Sequence, residues 1–66
     1  MNVIINGRDE TVAEGMSVER LLGELGIENR NLAVEYNGEF IEGDRLAETV
    51  LAEGDRLEIV RFVGGG

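Results

Sequence analysis

The chain has 66 residues and a formal net charge of −8, and it contains no cysteine, histidine, lysine, proline or tryptophan. This composition excludes disulfide bridges, thiolate or imidazole metal sites and Cys or Lys nucleophiles, and the length allows one small domain. Because the acidic surface repels polyanions, we expect no nucleic acid and no membrane as partners, but a protein with a basic face. No apolar stretch reaches the ~18 residues that span a bilayer, and no secretory signal is recognisable, so we expect a cytoplasmic protein.

The first predicted element is a β-hairpin. Residues 3–5 are β-branched and suit a strand. Asn6-Gly7 accepts the two positive φ angles of a type I′ turn, which places Thr11 and Val12 on the returning strand.

One main helix is predicted next, because the apolar spacing changes to that of a helical stripe. Ser17 suits the N-cap and Gly26 the C′ position. The stripe, expected to face the core, consists of Val18, Leu21, Leu22 and Leu25.

A second hairpin follows, in which Leu32, Val34 and Tyr36 alternate along one strand and Asn37-Gly38 turns the chain into residues 40–41. In residues 43–52 the apolar residues follow neither the spacing of a helix nor that of a strand. This segment is expected to form an irregular connection with one helical turn, anchored by Val50 and Leu51. Residues 56–62 then form the last strand.

These elements predict an α+β fold, since the sheet can bury the helix stripe if it curls over it. The last strand is expected beside the first and parallel to it. This arrangement is the β-grasp of ubiquitin-like domains, with a mixed sheet of four to five strands over one main helix. We expect residues 1–63 to form the domain and residues 64–66 a flexible tail.

The last strand is unusual because it has apolar side chains on both of its faces. Leu57 and Ile59 share the inward face, whereas Val60 and Phe62 fall on the outward face. Two alternatives are open: a β-bulge or a second small core buries Val60 and Phe62, or they form an exposed apolar strip for docking.

Three glycines, Gly64-Gly65-Gly66, follow Val63 directly. Without a Cβ, such a segment can lie extended in a narrow channel and present its terminal carboxylate without obstruction. The alternative is an inert flexible tail. Composition alone does not choose between them.

With this element order in view, the sequence resembles the ThiS family of sulfur carriers in thiamine biosynthesis along its whole length. The segments that carry the resemblance are residues 1–7 (MNVIING), 18–22 (VERLL), 34–39 (VEYNGE) and 48–60 (ETVLAEGDRLEIV), together with the terminal glycines. Each turn is a weak signal by itself, but their order and spacing are specific.

The resemblance implies that the chain is a protein co-substrate and not an enzyme. A ThiF-type adenylyltransferase would use ATP to adenylate the Gly66 carboxylate, a sulfur donor protein would convert it to a thiocarboxylate, and a ThiG-type thiazole synthase would take the sulfur. Partners would contact Val60, Phe62, Val63, Gly64 and Gly65. The free chain would be a monomer without a bound cofactor. The alternatives are a MoaD-like carrier for molybdopterin or another pathway, or a ubiquitin-like binding module with an inert tail.

Overall fold

In the computed structural model, which describes residues 1–28 and 31–62, the chain opens with the predicted hairpin. Strand β1 (Asn2–Ile5) pairs antiparallel with β2 (Arg8–Thr11). The turn between them has φ angles of +50° at Asn6 and +81° at Gly7, as a type I′ turn requires. The dipeptide therefore sets the register of the hairpin.

Helix α1 (Val18–Glu24) begins where the sequence predicts. The Ser17 side chain accepts a hydrogen bond from the Arg20 N–H at 3.1 Å, which satisfies one of the free donors of the first turn. Three members of the predicted stripe are buried: Val18, Leu21 and Leu22.

The end of α1 corrects the predicted stripe, because Leu25 is 45% exposed. Gly26, with φ +74°, reverses the chain, and the Ile27 N–H donates to the Leu22 carbonyl at 2.9 Å in a Schellman motif. Ile27 packs against the core. Ile27, rather than Leu25, therefore covers this end of the core.

The second hairpin joins β3 (Leu32–Tyr36) to β4 (Glu39–Ile41), as predicted. Its turn repeats the geometry of the first, with φ angles of +48° at Asn37 and +87° at Gly38. Val34 and Ile41 are directly opposite each other and buried, so this hairpin adds its inner face to the same core.

The connection after β4 contains the predicted helical turn as a short helix, α2 (Asp44–Glu48). Leu46 and Leu51 are buried, whereas Val50, predicted as an anchor, is 56% exposed. The chain becomes extended at Thr49, so the neighbours Val50 and Leu51 point to opposite sides. The anchors are thus Leu46 and Leu51.

The last strand, β5 (Arg56–Arg61), lies in the middle of the sheet, whose order is β2-β1-β5-β3-β4. It is parallel to β1 and antiparallel to β3, as the β-grasp prediction requires. The fold is therefore the predicted α+β arrangement, with five strands and a second short helix. The core consists of Val3, Ile5, Val12, Met16, Val18, Leu21, Leu22, Val34, Ile41, Leu46, Leu51, Leu57 and Ile59.

Candidate functional site

The outer face of β5 leads toward the glycines, and its apolar side chains are exposed. Val60 is 52% and Phe62 59% exposed, while Leu57 and Ile59 on the other face are buried. The alternative in which a bulge or a second core buries Val60 and Phe62 is therefore wrong. A cluster of apolar groups beside a charged rim is typical of surfaces that bind other proteins.

Neighbouring strands enlarge this surface. Glu35 on β3 is opposite Phe40 on one side and Glu58 on the other, and Phe40 is 68% exposed. We call Phe40, Val60 and Phe62, together with Glu35 and Glu58, the outer-face patch. Phe40 was not predicted as part of this surface, although its position next to the inward-facing Ile41 indicates an outward side chain.

The charges of the outer-face patch are all negative. Glu35 and Glu58 are direct cross-strand neighbours, and like charges in this position destabilise a sheet. Neither forms an ion pair with another residue in the described part of the chain. A partner with a basic group facing these two carboxylates would relieve their repulsion.

The end of β5 is held along both of its edges. On one edge the Asn6 side chain accepts from the Ile59 N–H at 2.7 Å and donates to the Ile59 carbonyl at 3.3 Å. On the other edge the Phe62 N–H donates to the Asn31 carbonyl at 2.6 Å, which continues the ladder with β3. The chain thus leaves the described domain from a fixed base.

The start of β5 is held by a buried carboxylate, Asp55, which is 9% exposed. Its oxygens accept from the Tyr36 hydroxyl at 2.7 Å, the Ala52 N–H at 2.7 Å and the Asn37 side-chain amide at 3.1 Å. A buried carboxylate with three donors is fully satisfied, so this cluster ties the second hairpin to the beginning of the last strand.

Asp55 and Tyr36 influence each other's titration. Burial acts to raise the pKa of Asp55, but the hydrogen bonds from Tyr36, Ala52 and Asn37 outweigh it and hold that pKa below its ordinary value. The pKa of Tyr36 is raised, first by its hydrogen bond to Asp55 and then by burial and by the negative charge of Asp55. At neutral pH the pair is one carboxylate and one neutral phenol.

A cleft of about 480 Å³ lies on the helix side of the domain. Its lining includes Met16, Arg20, Glu24 and Val50, and Arg20 is already paired with Glu24 at 3.6 Å. Residues 1–28 and 31–62 contain no group of three acidic, His or Cys side chains arranged for a metal ion. No helix within these ranges is long and apolar enough to cross a bilayer.

The remaining predicted site residues, Val63, Gly64, Gly65 and Gly66, lie outside the described residues, as does the predicted boundary between domain and tail. The position of the tail therefore stays a prediction. Of the predicted partner contacts, the structure places Val60 and Phe62 side by side on the exposed face of the strand that leads to these residues.

Comparison with known proteins gives a match to the ThiS family model over residues 3–66. The chain belongs to the ThiS family. A crystal structure of the thiamine biosynthesis protein ThiS from Geobacter metallireducens superposes with a TM-score of 0.83 at 38% identity, covering 100% of both chains. The sulfur carrier protein ThiS of Bacillus subtilis is 38% identical over 63 residues, which are 94% of this chain and 96% of that protein.

Two longer proteins also match this ThiS-family chain. The thiazole synthase of Paramagnetospirillum magneticum is 46% identical over 66 residues, and that of Magnetococcus marinus is 35% identical over 66 residues. The match covers 100% of this chain, yet the chain spans only 20% of the length of either synthase. Those synthases therefore contain a ThiS-like region joined to a much longer remainder.

Proposed function

We propose that this chain is a sulfur carrier of thiamine biosynthesis. The observation that carries the proposal is the match to the sulfur carrier of Bacillus subtilis over 94% of this chain and 96% of that protein, in a chain whose sequence places Gly64-Gly65-Gly66 shortly after the central strand β5. The side chains support a carrier rather than an enzyme, because the sequence has no Cys, His or Lys to act as nucleophile or general base.

The reacting group in this proposal is the α-carboxylate of Gly66. A terminal carboxylate has an ordinary pKa of about 3.3–3.7, so it is ionised at neutral pH and is a poor acyl donor. A ThiF-type adenylyltransferase attaches AMP from ATP to it and releases pyrophosphate. A sulfur donor protein then supplies sulfur at the oxidation level of sulfide, which attacks the acyl carbon, displaces AMP and leaves a thiocarboxylate at Gly66.

The sulfur acceptor in this proposal is a thiazole synthase of the ThiG type. Support comes from the two thiazole synthases that contain a ThiS-like region, because a carrier and its acceptor that occur in one chain act in the same reaction sequence.

The outer-face patch is the proposed docking surface for these partners. Val60 and Phe62 supply exposed apolar area next to the tail, and Glu35 and Glu58 favour a partner with a basic group. Val63, Gly64 and Gly65 would then enter the channel of the partner, where the absence of a Cβ at the glycines avoids steric conflict.

The direct test of the carrier proposal is intact-mass analysis of the 66-residue protein after incubation with a ThiF-type enzyme, ATP and a sulfur donor. We expect the mass to rise by the difference between one sulfur and one oxygen, located at Gly66. The matched control appends one alanine after Gly66. It should fold identically but react far more slowly, because a shift of about 1 Å at the reacting group can cost about 100-fold in rate.

Equal thiocarboxylation of the parent and the alanine-extended protein would mean that the enzyme does not recognise the terminal glycines. Absence of any mass change in the parent, with a ThiF-type enzyme that thiocarboxylates another ThiS protein under the same conditions, would contradict the carrier proposal itself.

Docking is tested by Phe62→Glu, which removes an exposed apolar anchor and adds a negative charge to the outer-face patch. We expect the affinity for the ThiF-type enzyme to fall about tenfold or more, with thermal stability nearly unchanged. The matched control is Val50→Glu, because Val50 is equally exposed but lines the cleft on the helix side. Affinities that fall equally in both variants would indicate a general charge effect and not a docking site.

A further inference from the structure

The Asn6 side chain binds the backbone of a residue 53 positions away, Ile59. Its carbonyl oxygen accepts from the Ile59 N–H at 2.7 Å, and its amide nitrogen donates to the Ile59 carbonyl at 3.3 Å. The Asn6 backbone N–H also donates to the Leu57 carbonyl at 2.9 Å. One residue of the first hairpin turn thus makes three hydrogen bonds to β5.

The turn alone does not require these contacts. A type I′ turn needs a residue that tolerates positive φ, and glycine meets that need as well as asparagine does. The side-chain amide does something different: β1 ends at Ile5, and the amide of Asn6 supplies the donor and acceptor that the next residue of a parallel strand would supply. It extends the β1–β5 ladder by one pair of bonds.

This extra pair lies at the end of β5 that leads to the tail. With it, the stretch from Ile59 to Phe62 is held by Asn6 on one edge and by β3 and Asn31 on the other. Without it, the described contacts hold that stretch along the β3 edge only. A strand held along one edge can twist about that edge, so the direction in which the chain leaves Phe62 becomes less defined.

The position of Phe62 sets where the tail begins. A base held along both edges presents the tail from one place and one direction, whereas a base held along one edge samples a range of both. Such a spread is costly for catalysis, because a shift of about 1 Å at the reacting group can cost about 100-fold in rate.

We propose that Asn6 is a positioning residue for the Gly66 carboxylate: by holding Ile59, it fixes the direction from which the tail is delivered to the adenylating partner. This inference rests on the proposed carrier function. The described hydrogen bonds of Asn6 go to the backbone of Leu57 and Ile59, whose side chains face the core and not the outer-face patch, so we expect Asn6 to act on delivery and not on docking.

The experiment compares Asn6→Gly with Asn37→Gly. Asn37 is the matched control, because it occupies the same position in the second type I′ turn and its side chain also makes two hydrogen bonds, to Asp55 and Arg56 at the start of β5. Glycine preserves both turns. Both variants are assayed well below their unfolding midpoints, so that the folded fractions are equal.

The assay is the steady-state rate of adenylation of each variant by a ThiF-type enzyme, with the carrier as the varied substrate. For Asn6→Gly we expect kcat to fall about tenfold, with KM within about twofold of the parent, because docking is intact while the carboxylate is misplaced. Asn37→Gly should retain the parental kcat even though it loses at least as much stability. Amide hydrogen exchange at Ile59 should accelerate only in Asn6→Gly.

A conservative variant sharpens the test. Asn6→Asp keeps the acceptor for the Ile59 N–H but loses the donor to the Ile59 carbonyl, so its kcat should lie between those of the parent and Asn6→Gly. The proposal is overturned if Asn6→Gly keeps the parental kcat, or if kcat in Asn6→Gly and Asn37→Gly falls in proportion to the loss of stability. If the parent protein itself is not adenylated, the result instead contradicts the proposed carrier function.

Discussion

The two hairpins of this domain use the same turn chemistry for different purposes. Each turn is Asn-Gly with both φ angles positive, and in each the asparagine backbone N–H donates to a β5 carbonyl, at 2.9 Å from Asn6 and at 2.8 Å from Asn37. These two bonds hold β5 from both sides near its start, at Leu57 and Arg56, and the Asn6 side chain extends the hold on its own side to Ile59.

The two hairpins differ in the groups to which each asparagine side chain hydrogen-bonds. Asn37 joins the cluster around Asp55, in which a buried carboxylate is surrounded by donors. Within residues 1–28 and 31–62, the Asn6 side chain hydrogen-bonds only to the backbone of Ile59. A buried charge with its donors carries much stability because removing a partner leaves it unsatisfied, whereas a pair of neutral backbone contacts carries less and mainly restricts direction.

The largest expected effect comes from removing the core that both hairpins share. Leu22 is fully buried under the sheet, so Leu22→Asp places an unpaired charge in the core and should cost more than about 4 kcal/mol, enough to unfold so small a domain. This loss of stability is measured by thermal unfolding, monitored by circular dichroism. The matched control is Leu25→Asp, at the exposed end of the same stripe, which should change stability by less than about 1 kcal/mol.

A cooperative transition at the parental midpoint in Leu22→Asp would contradict the proposed core. Equal effects of the two substitutions would show that Leu25 is also buried.

The second prediction tests whether the stability contributed by the contacts around Asn37 depends on the charge of Asp55. Asp55→Asn leaves the Tyr36 and Asn37 donors without a charged acceptor and should cost about 2–3 kcal/mol at neutral pH, measured by urea denaturation. Tyr36→Phe removes a single bond to the carboxylate and should cost about 1 kcal/mol. If Asp55→Asn and Tyr36→Phe lower the free energy of unfolding by similar amounts, the buried charge is not the source of the difference between the hairpins.

The effect of Asp55 should also depend on pH. Because the folded-state pKa of Asp55 lies below its ordinary value of about 3.9, its stabilising effect is fully present above that value and is lost as pH falls through the folded-state pKa. The stability gap between the parent and Asp55→Asn should therefore be largest from about pH 6 to 8 and shrink below about pH 4. A gap that stays constant down to pH 2 would contradict this assignment.

The smallest expected effect tests the similarity of the hairpins. Gly7 and Gly38 have φ angles of +81° and +87°, and a Cβ added at either would meet nothing within 4 Å. Gly7→Ala and Gly38→Ala should each cost about 1 kcal/mol from backbone strain alone, or roughly 4–8 °C in Tm. A difference above about 1 kcal/mol between the two would mean that the turns are not equivalent and that the asparagines cannot be compared directly.

Local patterns predict much of this fold. Both Asn-Gly turns, the Ser17 cap, the Gly26 helix end and the inward parity of Leu57 and Ile59 follow from spacing and turn chemistry, and the structure confirms them. These features depend on residues only a few positions apart. They are therefore visible in the sequence itself.

Features that depend on distant residues were not predicted. Leu25 and Val50 were expected to face the core, but Ile27 and Leu46 do so instead, because the chain reverses at Gly26 and because residues 44–48 form a helix. Asn6 was identified only as a turn residue, and Asp55 was not singled out. Their partners lie 53 positions away for Asn6 and 19 and 18 for Asp55, and only the assembled sheet brings them together.

The order of strands in the sheet has a consequence for how the protein folds. The strand synthesised last, β5, is the one that separates the two hairpins in space. A nascent chain that has not yet reached Arg56 can form each hairpin and the helix, but the edges of β1 and β3 that face β5 stay unpaired and open to misassociation. We therefore expect folding to wait for the complete strand and to be slowed by its non-local pairing. Chains truncated before β5 should accumulate as aggregates or be degraded, so that only molecules with the tail-bearing strand in place persist.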